Sequence, residues 1–384
     1  MHAARRAYAP RLSAQTEYGH AAGFDEAITN RGSTAALLTF EATLLDGGLR
    51  DAQFAAARAR LRSAAALEQQ RRADVALAVR SAYFAALSAR TEATIQQATI
   101  RTLRDYVTLL QQQERLGLVT QTEVLRAQLA VESARAARRT ARAQRDTALS
   151  ELAVLIGAEL AEPSPTGPSP TAPLLTEASL TEPSAVHLIQ PTDAMIDASP
   201  VIRDAQAAAE AAQREADAIR SEWRGHLAVT ASAGALGVDP GVTFRDHGGG
   251  QFLFGFSVPL FDGGATAARI ATAVASAHAA EATAQQARQT IHIALARTGV
   301  EAQRAERELR AWQQTVPRAA ESFQLMRARY FGGGNVRLLE VLDALSQYVD
   351  AQLNVPRALL AYRLAVASAA HILGHANPEG DGVP

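Results

Sequence analysis

Two stretches of this chain, FEATLLDGG at 40–48 and FSVPLFDGG at 256–264, superimpose with Phe40 over Phe256 and Asp46 over Asp262, both at an offset of 216. The register persists down the chain. RLGLVTQTEVLRAQ (115–128) and YFGGGNVRLLEVLDAL (330–345) set Glu123 over Glu340 at 217, and LIG ending at Gly157 meets ILG ending at Gly374, again at 217. A chance Gly pair carries no such register, so the chain reads as two tandem copies of one strand-to-helix unit. Whatever the fold is, it has to accommodate that unit twice.

Within the first copy no Pro occurs from Asp46 to Leu116 and no Gly between Gly48 and Gly117. Apolar residues recur there at helical spacing: Val75, Val79, Tyr83 and Leu87, then Leu103, Val107 and Leu110. The pattern predicts one helix of about 100 Å at 1.5 Å per residue, which must lean on neighbours along its length. Gly117 and the Thr/Gln cluster after it predict a reversal, and a returning helix ends at Gly157 as its C-cap. Copy one is therefore 1–158, with strands at about 12–19 and 35–45 and a helical hairpin over 46–157. A Pro-rich linker follows at 159–190. Copy two is 191–374, with a helix at 192–224, strands at about 227–234 and 250–261, and a hairpin over 262–374; 375–384 is a tail. Pro317 and Pro356 are predicted to bend or divide their helices. Copy one has only MHAARRAYAPRL where copy two has its first helix, so the chain is expected to begin inside a unit, beyond a first helix and any signal peptide.

Composition removes several chemistries. There is no Lys, so all 38 basic residues are Arg, and neither a Walker-type phosphate loop nor Schiff-base chemistry is available. Cys is absent, which rules out disulfides and thiolate metal sites. A net charge of −1 implies no nucleic-acid partner. The nine His are scattered, and His371 and His375 straddle Gly374 with no carboxylate nearby in sequence until Glu379, so no metal site, cofactor or enzymatic function is expected. No stretch of about 18 apolar residues suggests a transmembrane helix.

The strands carry the membrane signal. Phe252, Phe254, Phe256, Val258 and Leu260 fall on one face and Gln251, Gly255 and Ser257 on the other. Ala36, Leu38, Phe40, Ala42 and Leu44 alternate in the same way with Thr39, Glu41 and Thr43. Strands of about nine to eleven residues suit a tilted crossing of a bilayer. Four strands cannot close a barrel, and open edges in lipid cost several kcal/mol per unpaired group, so closure must come from other subunits. Phe40, Phe252, Phe254 and Phe256 are the predicted lipid-facing residues. The alternatives are a soluble sandwich of two hairpins and a soluble coiled-coil scaffold. The scaffold explains the helices but neither the strand alternation nor the register.

Paired strands, LLDGG and PLFDGG at the strand-to-helix junctions, the two reversals and the tandem order together resemble the TolC-type outer-membrane efflux proteins, over nearly the whole chain. The resemblance implies an α+β, mainly α fold of two tandem strand–strand–long helix–helix repeats. It further implies a homotrimer whose twelve-stranded barrel spans the outer membrane and continues into the periplasm as a twelve-helix tunnel. A periplasmic adaptor protein and an inner-membrane pump are the implied partners, with outer-membrane lipid around the barrel; a type I protein secretion duct is the variant within the class. The reversals become periplasmic tips. Glu340 and Asp343, three apart on one helical face, become gate residues, six carboxylates under three-fold symmetry. Gly117, Glu123, Arg126, Gly334 and Arg337 belong to the tips and to adaptor contact; from spacing alone, the alternatives are an ion pair between Glu123 and Arg126 and, for Glu340 and Asp343, a solvated acidic face beside Arg337. Asp46, Gly47, Gly48, Pro259, Asp262, Gly263 and Gly264 form the strand-to-helix junctions, the two Asp as caps and the Gly pairs as turns. Cargo is open between metal cations, drugs and proteins.

Overall fold

A computed structural model describes residues 8–20, 22–23, 32–157, 192–237, 248–332 and 336–374; the linker 159–190, the tail 375–384 and Gly333 and Gly334 lie outside the described residues. The chain is mainly helical with one small sheet. In order it forms β1 (Arg11–His20), β2 (Gly32–Leu45), α1 (Leu49–Arg115), α2 (Gln121–Ile156), α3 (Asp193–Asp197), α4 (Pro200–Glu222), β3 (His226–Gly237), β4 (Gly248–Ser257), α5 (Ala265–Phe331) and α6 (Leu338–Ile372). The long helices α1 and α5 have 67 residues each. Among the described residues no helix is long and apolar enough to cross a membrane. Two compact units divide the chain, one built from residues up to 68 and 200–289, the other from 69–199 and 290 onward.

In the first unit the strands pair antiparallel in the order β1-β2-β3-β4. Their register puts Leu12, Phe40, Ala231 and Phe252 in one row, and Val229 beside Phe254 and Leu227 beside Phe256 on the same face. Ser13, Thr39, Ser232 and Gln251 form a row on the other face, with Arg11 opposite Glu41. Alternation with a period of two thus gives one apolar and one polar face. Val229 is buried on the apolar face, but the aromatic residues of β4 are bare there: Phe252, Phe254 and Phe256 are 63%, 62% and 72% exposed. Beside the sheet, α4 is tied to α1 by Arg62–Glu210 at 2.8 Å and Ser63–Asp204 at 2.5 Å, and to α5 by Arg269–Glu222 at 2.8 Å.

Three sequence expectations need correction. The fourth strand was predicted over 250–261 but stops at Ser257, because Pro259 has no N–H to offer the ladder. It starts instead at Gly248, which pairs with Ala235. The helix expected over 192–224 is split into α3 and α4 at Ser199-Pro200; proline cannot continue the first helix but suits the first position of the second. Conversely, Pro317 and Pro356 divide nothing, and α5 and α6 run through them.

The reason lies in packing. In the second unit α5 buries or half-buries Leu295, Ala302, Leu309, Val316, Phe323 and Tyr330 at intervals of seven, a seam that passes Pro317 unbroken. In α2, Ala127, Ala134, Ala141 and Ala148 keep the same interval, as do Val124, Val131, Arg138, Arg145 and Leu152. A strict seven-residue stripe is the pattern of helices packed as left-handed coiled coils. Their main shared core joins Ile100, Leu103 and Tyr106 of α1, Val131 of α2, Phe323 of α5, and Val341, Leu345 and Val349 of α6.

Candidate functional site

Both reversals lie at the same end of the second unit, because one cluster holds them: Leu110 of α1, Val124 and Ala127 of α2 and Leu338 of α6, with Val119 and Tyr330 packed against it. The first reversal is made by Gly117 at φ 76, whose N–H donates to the Glu114 carbonyl at 2.9 Å, while the Leu118 N–H reaches the Gln113 carbonyl at 2.9 Å. The left-handed φ is what selects Gly there. Thr120 then caps α2 in a capping box: the Glu123 carboxylate accepts the Thr120 N–H at 3.0 Å and the Thr120 hydroxyl at 3.3 Å. Glu123 is thus turned back toward its own helix start, in place of the pair with Arg126 expected from spacing.

The second reversal differs at the cap. Arg337 stands where Thr120 does and makes no side-chain cap hydrogen bond. Its Nε donates to Glu340 Oε1 at 3.2 Å, between side chains 80% and 44% exposed. Asp343, one turn on, accepts from Gln347 Nε2 at 2.9 Å and forms no salt bridge among the described residues. Glu340 and Asp343 are therefore two exposed carboxylates on the first turns of α6, with one arginine between them to offset their charge. Gly334 falls outside the described residues.

At the junctions, Asp46 Oδ2 accepts the Arg50 N–H at 3.0 Å and Oδ1 the Gly48 N–H at 3.2 Å, with Arg50 Nε at 2.6 Å from Oδ2. Burial works against ionisation of Asp46, but these donors outweigh it and hold the carboxyl below the usual range. Asp262 repeats the arrangement with Thr266 N–H at 2.7 Å and Gly264 N–H at 3.0 Å, and hydrogen bonds from Thr266 lower its pKa. Gly47, Gly48, Gly263 and Gly264 all have positive φ, between 63 and 94 degrees. Pro259 lies between β4 and Asp262, past the end of the ladder.

A family model described as outer membrane efflux protein matches residues 1–158 and 193–375. The chain belongs to the outer membrane efflux protein family. Solved structures agree on the fold of this efflux protein. A membrane protein from Pseudomonas aeruginosa matches with a TM-score of 0.84 at 21% identity, over 97% of this chain and 86% of its own. VceC from Vibrio cholerae matches at 0.80 and 19%, over 97% and 89%. The open-state MtrE outer membrane channel of Neisseria gonorrhoeae matches at 0.79 and 20%, over 98% and 82%. No curated protein matches. The efflux protein is accordingly an outer-membrane protein.

Two features of the efflux protein escaped the sequence reading. His371 Nε2 lies 2.6 Å from Asp74, a carboxylate brought from α1 rather than from the neighbouring tail; no group of metal-ligating side chains occurs among the described residues. Between α1 and α2, a cavity of about 240 Å³ is lined by Gln97, Ile100, Arg104, Arg135, Arg138, Arg139 and Arg142. Desolvation first, then the charges of Arg142, Arg101 and Arg104, lower the pKa of Arg138. The signal was present in sequence as ARAARRTARAQR (134–145), but only the seven-residue burial stripe reveals that Arg138 occupies a seam position.

Proposed function

We propose that this efflux protein is the outer-membrane channel of a tripartite efflux system and acts without catalysis. Three copies, four strands each, close a twelve-stranded barrel in the outer membrane, and their long helices continue it as a periplasmic tunnel of twelve. Each chain contributes two copies of one strand–strand–helix–helix unit. Substrate passes passively from an inner-membrane pump and a periplasmic adaptor to the exterior, so cargo is set by the pump.

The observation that carries the reading is the open sheet. Its apolar face leaves Phe252, Phe254 and Phe256 exposed, and among the described residues β1 and β4 each have a neighbour on one side only. An apolar sheet face suits lipid, while unpaired edges in lipid do not persist, so the sheet calls for strands from other copies. Phe40, Phe252, Phe254 and Phe256 then face lipid. At the reversals, Glu340 and Asp343 ring the periplasmic opening as six carboxylates. Like charges at a constriction repel one another and attract cations. Gly117, Glu123, Arg126, Gly334 and Arg337 form the surface offered to the adaptor.

Light scattering corrected for bound detergent tests this directly. A trimer that requires detergent is expected; a monomer or dimer that stays in solution without detergent overturns the channel and favours a coiled-coil scaffold.

A further inference from the structure

The hairpin of α1 and α2 concentrates positive charge that no neighbouring acid answers. Five arginines stand in the wall of its cavity of about 240 Å³: Arg104 from α1, and Arg135, Arg138, Arg139 and Arg142 from α2. The four on α2 are spaced i, i+3, i+4 and i+7, so a single helical face carries them all. Ile100, buried in the core with Leu103, Val131 and Ala134, closes the floor, and Gln97 adds an amide. Arg135 is paired with Glu132 of its own helix. Arg104, Arg138, Arg139 and Arg142 form no salt bridge among the described residues, and no acid is among the residues that line the cavity.

Helix packing does not demand this charge. At 217 the four α2 positions fall on Gln352, Val355, Pro356 and Leu359 of α6, and at 216 Arg104 falls on Ala320 of α5. There Val355 and Leu359 pack with Leu309. The same register is thus filled by apolar contact in one place and by uncompensated guanidinium groups in the other. Like charges this close repel one another, and Arg138, half-buried in the seam, also gives up hydration. A bound anion offsets both costs.

We propose that this cavity binds a compact, soluble polyanion of the phosphate class, a diphosphate group for example, held by Arg104, Arg138, Arg139 and Arg142 with the Gln97 amide as a further donor. A guanidinium is a planar fork whose N–H groups match two oxygens of a phosphate. Four unpaired cations call for more charge than one carboxylate carries. The volume falls below the roughly 300–1,000 Å³ of pockets that enclose drug-sized molecules, which restricts the ligand to a small group. All of the lining belongs to the second unit and none to the unit that holds the sheet with its exposed Phe face, so the phosphate comes from solution and not from a lipid headgroup.

Isothermal titration calorimetry of the full chain in detergent, with inorganic pyrophosphate as the probe, tests the site. At matched ionic strength one saturable site per chain is expected, and its affinity should fall when NaCl is raised. R138Q/R142Q should weaken binding by about tenfold or more, since hydrogen bonds to charged groups are lost. R104Q/R139Q makes the same test from the exposed rim. R307Q/R318Q removes equal charge from exposed positions of α5 and should leave the affinity unchanged. Helical circular dichroism identifies the variants that are folded. Mixed micelles containing phosphatidate should not displace pyrophosphate. No saturable binding to the folded wild-type chain, or equal affinity in folded R138Q/R142Q and R104Q/R139Q, overturns the site. Displacement by phosphatidate assigns the cavity to a lipid headgroup and overturns the soluble ligand. Binding that appears only once copies are separated shows that acid from a neighbouring copy fills the cavity, which overturns the proposal as well.

Discussion

The two helical reversals carry the same glutamate in different employment. Glu123 closes a capping box with Thr120, so its carboxylate is committed to the start of α2. Glu340, its counterpart at 217, follows Arg337, which has no hydroxyl or short acceptor for a cap, and the carboxylate reaches only an exposed guanidinium. Three residues on, the first reversal has Arg126 and the second Asp343. The first reversal is thus built to start a helix tightly, and the second leaves acid at the surface. The two reversals share a backbone plan while the chemistry of their caps has parted.

The junctions show the same divergence in steric form, and there the largest effect is expected. A Cβ on Gly47 would lie 2.6 Å from Arg224 Cβ and 3.0 Å from the Ser221 carbonyl, whereas a Cβ on Gly263 would meet nothing within 4 Å. Both positions are left-handed, at φ 63 and 66, so either substitution by Ala costs roughly 1–2 kcal/mol in backbone strain. Only at Gly47 does overpacking add about 1–3 kcal/mol. Thermal melts of the two variants, followed by helical circular dichroism in detergent, should show Gly47→Ala as clearly the more damaging. Equal losses would mean that the α4 end does not press on the first junction.

The tips can be separated next. Glu123→Ala removes half of a capping box and should cost about 1 kcal/mol of stability while leaving ion selectivity alone. Glu340→Ala together with Asp343→Ala gives up only an exposed pair and a side-chain amide contact, so stability should hardly change. In planar bilayers, however, the double variant should be leakier at the closed tip or less cation-selective. If Glu123→Ala changes selectivity and the double variant does not, the division of labour between the tips is reversed and the gate assignment is lost.

How far the sequence alone reaches follows from which forces act locally. The junctions were legible because Asp-Gly-Gly is itself the capping and turning chemistry, and the alternation of Phe252, Phe254 and Phe256 is itself the sheet face. Helix ends were less so. Whether a proline divides a helix is decided by what holds the flanks: Pro317 lies in an uninterrupted coiled-coil seam, while Pro200 follows a five-residue segment with little to lose. The partner of His371 was out of reach for a different reason, since Asp74 lies 297 residues away. Glu123 misled through equal spacing: Thr120 and Arg126 are each three residues from it, and the backbone N–H of the cap won over a solvated guanidinium.

The smallest effect expected concerns the seam itself, where the halves disagree most quietly. Arg138 sits in the seven-residue stripe of α2 between Val131 and Arg145, and its counterpart at 217 is Val355 of α6. Val355 packs against Leu309, Ala358 and Leu359; Arg138 faces Arg104 and Arg142, which repel it. A charged residue at such a position specifies register at a cost in stability. Arg138→Val should therefore relieve like-charge repulsion, extend the apolar stripe, and raise the melting temperature by about 2–4 °C. The gain should shrink as salt is added, because screening weakens the repulsion that the substitution removes. A lower melting temperature at every salt concentration would show instead that Arg138 is engaged by acid in the assembled protein, and would direct attention to the neighbouring copy as its source.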